Sequence, residues 1–256
     1  MLPPSPLPKQ PPGARNETTK QPPPQPLVIV WDFDYSLINC NSDTYVPEHC
    51  LPLLCDFISE GSKTTQWTTL MAEVALKMFE GEVERSQIEA SLDRMPVFSE
   101  VIDSIKYASS LGVKQYIISD ANTVFISRFL ETKRLDQHFT EVVSNPASWT
   151  EKGLLQINPY HSHHNCSRCP SNLCKGLVID SIMSTLSSEC RTLYIGDGGG
   201  DLCPCLRLRK NDSIAARSGY KLAQLLQNIE AEASVSNWGD GESLAHIINR
   251  FIINHV

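Results

Sequence analysis

A five-residue apolar run, Leu27-Val28-Ile29-Val30-Trp31, passes without a turn residue into Asp32-Phe33-Asp34-Tyr35-Ser36. A continuous, β-branched run offers no polar side to solvent. It reads as a strand buried on both faces, the kind found in parallel sheets covered by helices. Two later apolar runs end in the same manner: residues 113–118 lead into Ser119-Asp120, and 192–195 into Gly196-Asp197. Further strands are predicted at 139–144 and 214–216. Helical periodicity fills the intervals, with Val101, Ile102, Ile105 and Ala108 running up to Gly112, followed by 122–135, 177–186, 220–233 and 243–253. Alternating strands and helices predict an α/β fold with a Rossmann-like parallel sheet and right-handed crossovers. Ligands of such sheets bind beyond the carboxyl ends of the strands, so these polar strand ends should share one crevice.

The stretch between the first two of these strands has a different character. Leu51, Leu54, Phe57 and Ile58, then Leu70, Val74 and Phe79, then Ile88 and Leu92 recur at helical spacing with little strand signal. It predicts a small helical cap over 38–100, inserted into a core made of 27–37 and 101–256. Residues 1–26 hold ten of the 17 prolines and almost nothing apolar after Leu7. Such a segment cannot bury enough surface to offset chain entropy, and reads as a disordered tail with polyproline-II character. It lacks the apolar core of a secretory signal.

Lys and Arg number 22 against 29 Asp and Glu, a formal charge of −7 that argues against nonspecific binding to nucleic acid or acidic membranes. No apolar run approaches the roughly 18 residues of a membrane span. Nine cysteines without a secretory signal suggest reduced thiols in the cytoplasm rather than a disulfide framework. Most of them, Cys203 included, stand among apolar neighbours, where a thiol behaves as a small hydrophobe.

Asp32, Asp34, Asp197 and Asp201 would bring four carboxylates to one place, which is electrostatically unreasonable without a hard cation. Mg²⁺ suits that donor set, completed by water and a substrate phosphate. Ser119 and Lys175, the latter opening a helix, supply a donor and a positive charge for phosphoryl oxygens. This inventory fits phosphoryl transfer to a carboxylate nucleophile.

Asp32-Phe33-Asp34-Tyr35-Ser36, Ser119, Lys175 and Gly196-Asp197 with Asp201 resemble, in order, the four motifs of the haloacid-dehalogenase-like (HAD) phosphohydrolases. Trp31-Asp32-Phe33-Asp34, Asn41-Ser42-Asp43, the loop from His164 to Lys175, and Gly196-Asp197-Gly198 running through Asp201 to Cys203-Pro204 narrow the likeness to the PHOSPHO-type and plant thiamine-phosphate-phosphatase-like group. The resemblance spans about residues 27–250. It implies that Asp32 is the nucleophile that forms an aspartyl-phosphate. Asp34 would be the acid and base, with its backbone carbonyl on Mg²⁺. Ser119 and Lys175 would hold the phosphoryl group, Asp197 would ligate Mg²⁺, and Asp201 would ligate it or orient its waters. Tyr35 is bulky for its position and would narrow the entrance. Gly200 stands where the family often has Asn, which predicts a looser loop around Asp201.

Asn41 and Asp43 lie just past the catalytic loop and are placed to face the pocket; Asp43 would there favour a cationic leaving group, or serve only as a helix cap. Trp67 and Phe79 offer either stacking on an aromatic substrate or core packing. His164, Cys166, Cys169 and Cys174 have ligand types suited to a structural Zn²⁺, against the alternative of a packed loop of thiols that fixes Lys175. The substrate class implied is a small phosphomonoester such as phosphocholine, phosphoethanolamine, pyridoxal phosphate or thiamine monophosphate. The alternatives are pyrophosphate, a receiver-like phospho-accepting domain, and a non-catalytic scaffold organised by the zinc loop.

Overall fold

The computed structural model describes residues 26–254, so the proline-rich segment, Pro26 apart, lies outside the described residues. Along the chain, β1 (Leu27–Trp31) is followed by α1 (Ser42–Cys50), α2 (Leu54–Gly61), α3 (Trp67–Glu80), α4 (Arg85–Asp93) and α5 (Ser99–Ser110). Then come β2 (Lys114–Asn122), α6 (Thr123–Lys133) and β3 (Glu141–Asn145), and a hairpin of β4 (Ala147–Trp149) and β5 (Leu155–Ile157). The remainder is α7 (Lys175–Ser184), β6 (Arg191–Gly196), α8 (Leu202–Cys205), β7 (Ser213–Arg217), α9 (Lys221–Leu226), β8 (Ser234–Trp238) and α10 (Gly241–Ile253).

Six strands form one parallel sheet in the order β3-β2-β1-β6-β7-β8. The reason β1 is apolar at every position is visible in its two faces. Leu27, Ile29 and Trp31 pack with Ile117, Leu193 and Ile195 under the α1–α6 and α10 side. Val28 and Val30 pack with Ile118, Tyr194 and Ile214 under α7, α8 and α9. Alternate side chains of one strand thus serve two separate apolar layers. Gln115, buried in β2, is satisfied: it accepts from Trp31 Nε1 at 3.1 Å and donates to the Ile105 carbonyl at 2.9 Å.

Register brings the strand ends together. Trp31 sits opposite Ile117 on one side and Ile195 on the other, so Asp32, Ser119 and Asp197 emerge from the same edge. The Asp32 N–H donates to the Ile195 carbonyl at 2.8 Å, extending the ladder one residue past β1. A bulge between Ser119 and Asn122 then re-aims β2, burying Ser119 and turning Asp120 outward.

Two local readings differ. The helix predicted over 220–233 stops at Leu226, and the chain re-enters the sheet as β8, an edge strand with only Trp238 buried. The hairpin β4–β5 was not anticipated; its strands are three residues long. Gly112, by contrast, ends α5 as expected, at φ +73°. Among the described residues no helix is long and apolar enough to cross a membrane.

Candidate active site

Lys175, first residue of α7, is the hub. Its ammonium is buried and donates to Asp32 Oδ1 at 2.6 Å and Asp201 Oδ1 at 2.8 Å, with Asp120 Oδ1 at 3.3 Å. Burial opposes that charge, but Asp201, Asp32 and Asp120 outweigh it and push the lysine pKa well above its ordinary value. The amine is therefore a fixed cation. Asp32 is pushed the other way from what a nucleophile needs: burial first, then Asp201 and Asp197, hold its pKa well above the usual carboxylate range despite Lys175.

Asp34 sits two residues on, in a tight turn that Tyr35 closes in the left-handed region, at φ 53°. That strained peptide is held from β7: Arg217 donates to the Tyr35 carbonyl at 2.7 Å and to Asn39 Oδ1 at 2.5 Å. The guanidinium lies 4.7–5.9 Å from the ring centroids of Tyr220, Trp238, Phe98 and Tyr35. The Tyr35 ring is turned onto Tyr220, 5.2 Å between centroids, and does not line the crevice that it was expected to narrow. Asp34 Oδ1 accepts the Ser42 N–H at 2.8 Å, while burial lifts its pKa to about 6. A carboxyl balanced there can both give and take a proton near neutrality.

On the opposite strand, burial and then Asp201 push Asp197 up to about 7. Asp201 is held by four donors: Lys175 Nζ and Tyr194 OH on Oδ1, at 2.8 and 2.7 Å, and the N–H groups of Asp197 and Gly198 on Oδ2, at 3.1 and 2.9 Å. The looser loop predicted from Gly200 is thus not what the fold shows. Gly196 explains the tight approach, because a Cβ there would lie 2.7 Å from the Asp201 carboxylate. With both its oxygens engaged, Asp201 suits the orienting role of its two predicted roles better than direct ligation.

Asp32, Asp197 and Asp201 bring oxygens within 4.8 Å of one another. Left to themselves, Asp32 and Asp197 resist ionisation; a hard divalent cation is the charge that would make the group stable as carboxylates. The donor set fits Mg²⁺. Ser119, buried with its Oγ accepting the Ala121 N–H at 3.2 Å, lines the same crevice of about 190 Å³ as Asp32, Asp34, Asn41, Lys175 and Asp201.

The cap residues divide. Asn41 caps α1, its Oδ1 accepting from Thr44 N at 3.0 Å, and lines the crevice. Asp43 does not. It is buried behind α3, where Oδ2 accepts Trp67 Nε1 at 2.8 Å, and burial with the nearby Asp34 pushes its pKa to about 8. It anchors Trp67, and the expectation that it meets a cationic leaving group is corrected on that ground. Trp67 itself lines both the crevice and a larger cleft of about 560 Å³ beside it, whereas Phe79 lines neither. The cleft runs between the start of α3 and the loop 167–173, and Arg168, Asn172 and Asp120 contribute to its walls. Asn172 Nδ2 donates to Thr68 Oγ1 at 2.6 Å, and Asn145 Nδ2 to the Asp120 carbonyl at 2.6 Å. Both amides also accept the Tyr160 N–H, so cap, sheet and loop form one hydrogen-bonded wall.

In that loop the structure brings Cys166, Cys169 and Cys174 together but leaves out His164, whose Nε2 meets the Pro170 carbonyl at 2.7 Å while Nδ1 accepts the Cys166 N–H at 3.3 Å. The fourth group is Cys203, from α8. Asp120, Tyr194 and Arg217 were not singled out from the sequence, and Cys203 was not placed with the thiols of the loop; Asp120, directly after Ser119 at a strand end, carried a signal that would have found it.

A parallel sheet with an acidic crevice at its carboxyl edge, a buried lysine on a carboxylate and a helical insert after the first strand define a HAD-type phosphatase. A family described as Putative Phosphatase matches residues 27–252, and the chain belongs to it. It is 37% identical to Inorganic pyrophosphatase 2 of Arabidopsis thaliana over 239 residues, covering 90% of this chain and 85% of that one. Identity to the Thiamine phosphate phosphatase-like protein of Arabidopsis thaliana is 36%, covering 88% and 95%. Identity to Pyridoxal phosphate phosphatase PHOSPHO2 of Bos taurus is 34%, covering 84% and 94%. Among solved structures, a phospho-aspartyl intermediate analogue of phosphoserine phosphatase superposes with a TM-score of 0.59 at 12% identity, covering 89% of this chain and 99% of that one. That likeness is one of fold.

Proposed function

We propose that the chain is a Mg²⁺-dependent phosphatase that hydrolyses small phosphomonoesters in two displacements through an aspartyl-phosphate on Asp32. The carrying observation is the Asp32–Lys175 pair at 2.6 Å with Asp34, poised near pH 6, two residues away. In the first displacement the Asp32 carboxylate attacks phosphorus, the bond to the leaving oxygen breaks, and Asp34 gives that oxygen its proton. In the second, Asp34 takes a proton from water, which attacks phosphorus and releases phosphate as the bond to Asp32 breaks. Lys175 and Ser119 hold phosphoryl oxygens, and Asp201 fixes Lys175 and the loop that carries Asp197. Mg²⁺, held by Asp32, the Asp34 carbonyl and Asp197, would neutralise the charge gathered between nucleophile and phosphoryl group.

The cleft beside the crevice supports a ring-sized leaving group. Trp67 offers a face for stacking, and with Asp43 buried the remaining acidic wall residue, Asp120, already faces Lys175. Pyridoxal phosphate, whose ring needs no acidic partner, therefore fits better than phosphocholine or phosphoethanolamine, and the cationic thiazolium of thiamine monophosphate would rest on the Trp67 face. Arg168 favours a second reading, pyrophosphate, whose leaving phosphate would meet its guanidinium. The test is kcat/KM over these five compounds with Mg²⁺, and again after EDTA. Ring phosphates should lead and EDTA should abolish turnover. Preference for phosphocholine would overturn the substrate reading, and full activity in EDTA would overturn the metal.

A further inference from the structure

Four thiols from two separate segments meet at the base of the cleft. Cys166, Cys169 and Cys174 come from the loop before α7, and Cys203 from α8; their Sγ atoms all lie within 4.8 Å of one another. Cys166 and Cys203 are 3.6 Å apart, Cys174 and Cys203 4.0 Å. A tetrahedral zinc with Zn–S bonds of about 2.3 Å has S···S edges of about 3.8 Å, between those two separations, whereas a disulfide brings its sulfurs to about 2 Å. We propose that Cys166, Cys169, Cys174 and Cys203 bind one structural Zn²⁺, which clamps the two loops that carry Lys175 and Asp201.

The surroundings are built for that approach. Gly176 opens the first turn of α7, and a Cβ there would stand 2.5 Å from both Cys203 Sγ and Arg207 Nε. The absent side chain is what lets the α8 thiol reach the loop. Cys166 and Cys169 stand in a C-x-x-C spacing, the turn that places two thiols on one metal ion. The Cys174 N–H is fixed by His161 Nδ1 at 3.2 Å. Arg207, beside Cys203, offsets part of the negative charge of a tetrathiolate site. A soft, all-sulfur donor set selects zinc over the hard cation suited to the carboxylates, so the two metal sites do not compete.

The position gives the ion its task. Cys174 is bonded to Lys175, and Cys203 lies two residues past Asp201. These two catalytic side chains meet at 2.8 Å, and the thiol cluster joins the same two loops on the other side of the contact. Cys169 and Cys203 also line the cleft, so the clamp shapes the wall against which the leaving group rests.

The test is elemental analysis of the full chain, purified without added metal and dialysed against metal-depleted buffer. One zinc per chain is expected, and cobalt grown in its place should give the intense visible bands of a tetrahedral tetrathiolate. Cys203→Ser should bring zinc below about a tenth per chain, while His164→Ala and Asp197→Asn should each keep one. The wild-type content does not depend on any variant folding. Zinc absent from the wild type, equimolar iron instead, or a cysteine pair isolated as a disulfide would overturn the proposal. So would zinc that His164→Ala or Asp197→Asn removes and Cys203→Ser retains.

Discussion

Replacing Asp34 by Asn removes a proton donor while keeping the acceptor for the Ser42 N–H, so the turn should survive and the chemistry should not. Burial places the Asp34 pKa at about 6, which leaves roughly one molecule in ten protonated at pH 7. For an alkyl phosphate the leaving alkoxide needs that proton, so the wild-type rate of the first displacement should fall about tenfold per pH unit above 6. Asp34→Asn should lose about 10²–10⁴-fold with such a substrate. With p-nitrophenyl phosphate the leaving group departs without help, and the first displacement should survive in the variant. The second should not, since no base activates water. Stopped-flow absorbance should therefore show a burst of one nitrophenolate per chain, followed by slow turnover. Loss of less than tenfold with the alkyl substrate, or a nitrophenyl phosphate reaction as slow as the alkyl one and without a burst, would refute the acid–base assignment.

Three other outcomes are expected. Lys175→Met leaves the carboxylates of Asp32, Asp201 and Asp120 without their shared cation, and in metal-free buffer urea titration should show a loss of about 3–5 kcal/mol; an unchanged midpoint would contradict the buried pairing. Asp43→Asn keeps the acceptor for Trp67 but cannot ionise. The native carboxyl titrates at about 8 and the unfolded one near 3.8, so wild-type stability falls as pH rises from about 4 to 8, while the variant lacks that fall and should be more stable at pH 7 by about 4 kcal/mol. Parallel stability profiles for the two proteins would rule out a buried, proton-retaining Asp43. Arg134→Gly, at the left-handed residue after α6 (φ 55°), should stabilise by about 0.5–1 kcal/mol in a thermal melt, and destabilisation would show that the arginine side chain matters more than the backbone strain.

Much of this was legible because buried parallel strands need no decoding. Leu27–Trp31 is apolar on both faces, and polar residues can follow it only where the sheet ends. The candidate aspartates, Ser119 and Lys175 all lie at such ends or at a helix start, so their convergence follows from topology. What escaped depended on long-range placement. Ser234–Trp238 is a half-exposed edge strand with weak alternation, and it falls in the gap between the helices predicted over 220–233 and 243–253. Cys203 stands between Leu202 and Pro204, as a buried hydrophobe would. Nothing local reveals that α8 folds onto the first turn of α7. Asp43 follows a loop that faces the crevice, yet it lies in the first turn of α1 and points to Trp67, 24 residues away. Arg217 works through rings from four different segments, and no spacing in the sequence predicts such a cage.

The central claim is that Asp32 becomes covalently phosphorylated. Rapid acid quench with radiolabelled p-nitrophenyl phosphate, followed by peptide mapping, tests it most directly. Label should appear on the peptide that carries Asp32, leave on treatment with hydroxylamine as an acyl phosphate does, and accumulate toward one per chain in Asp34→Asn. Asp32→Asn should take up none and turn over nothing while keeping its melting transition. Label on another residue, or hydrolysis by Asp32→Asn within tenfold of the wild-type rate, would contradict the account.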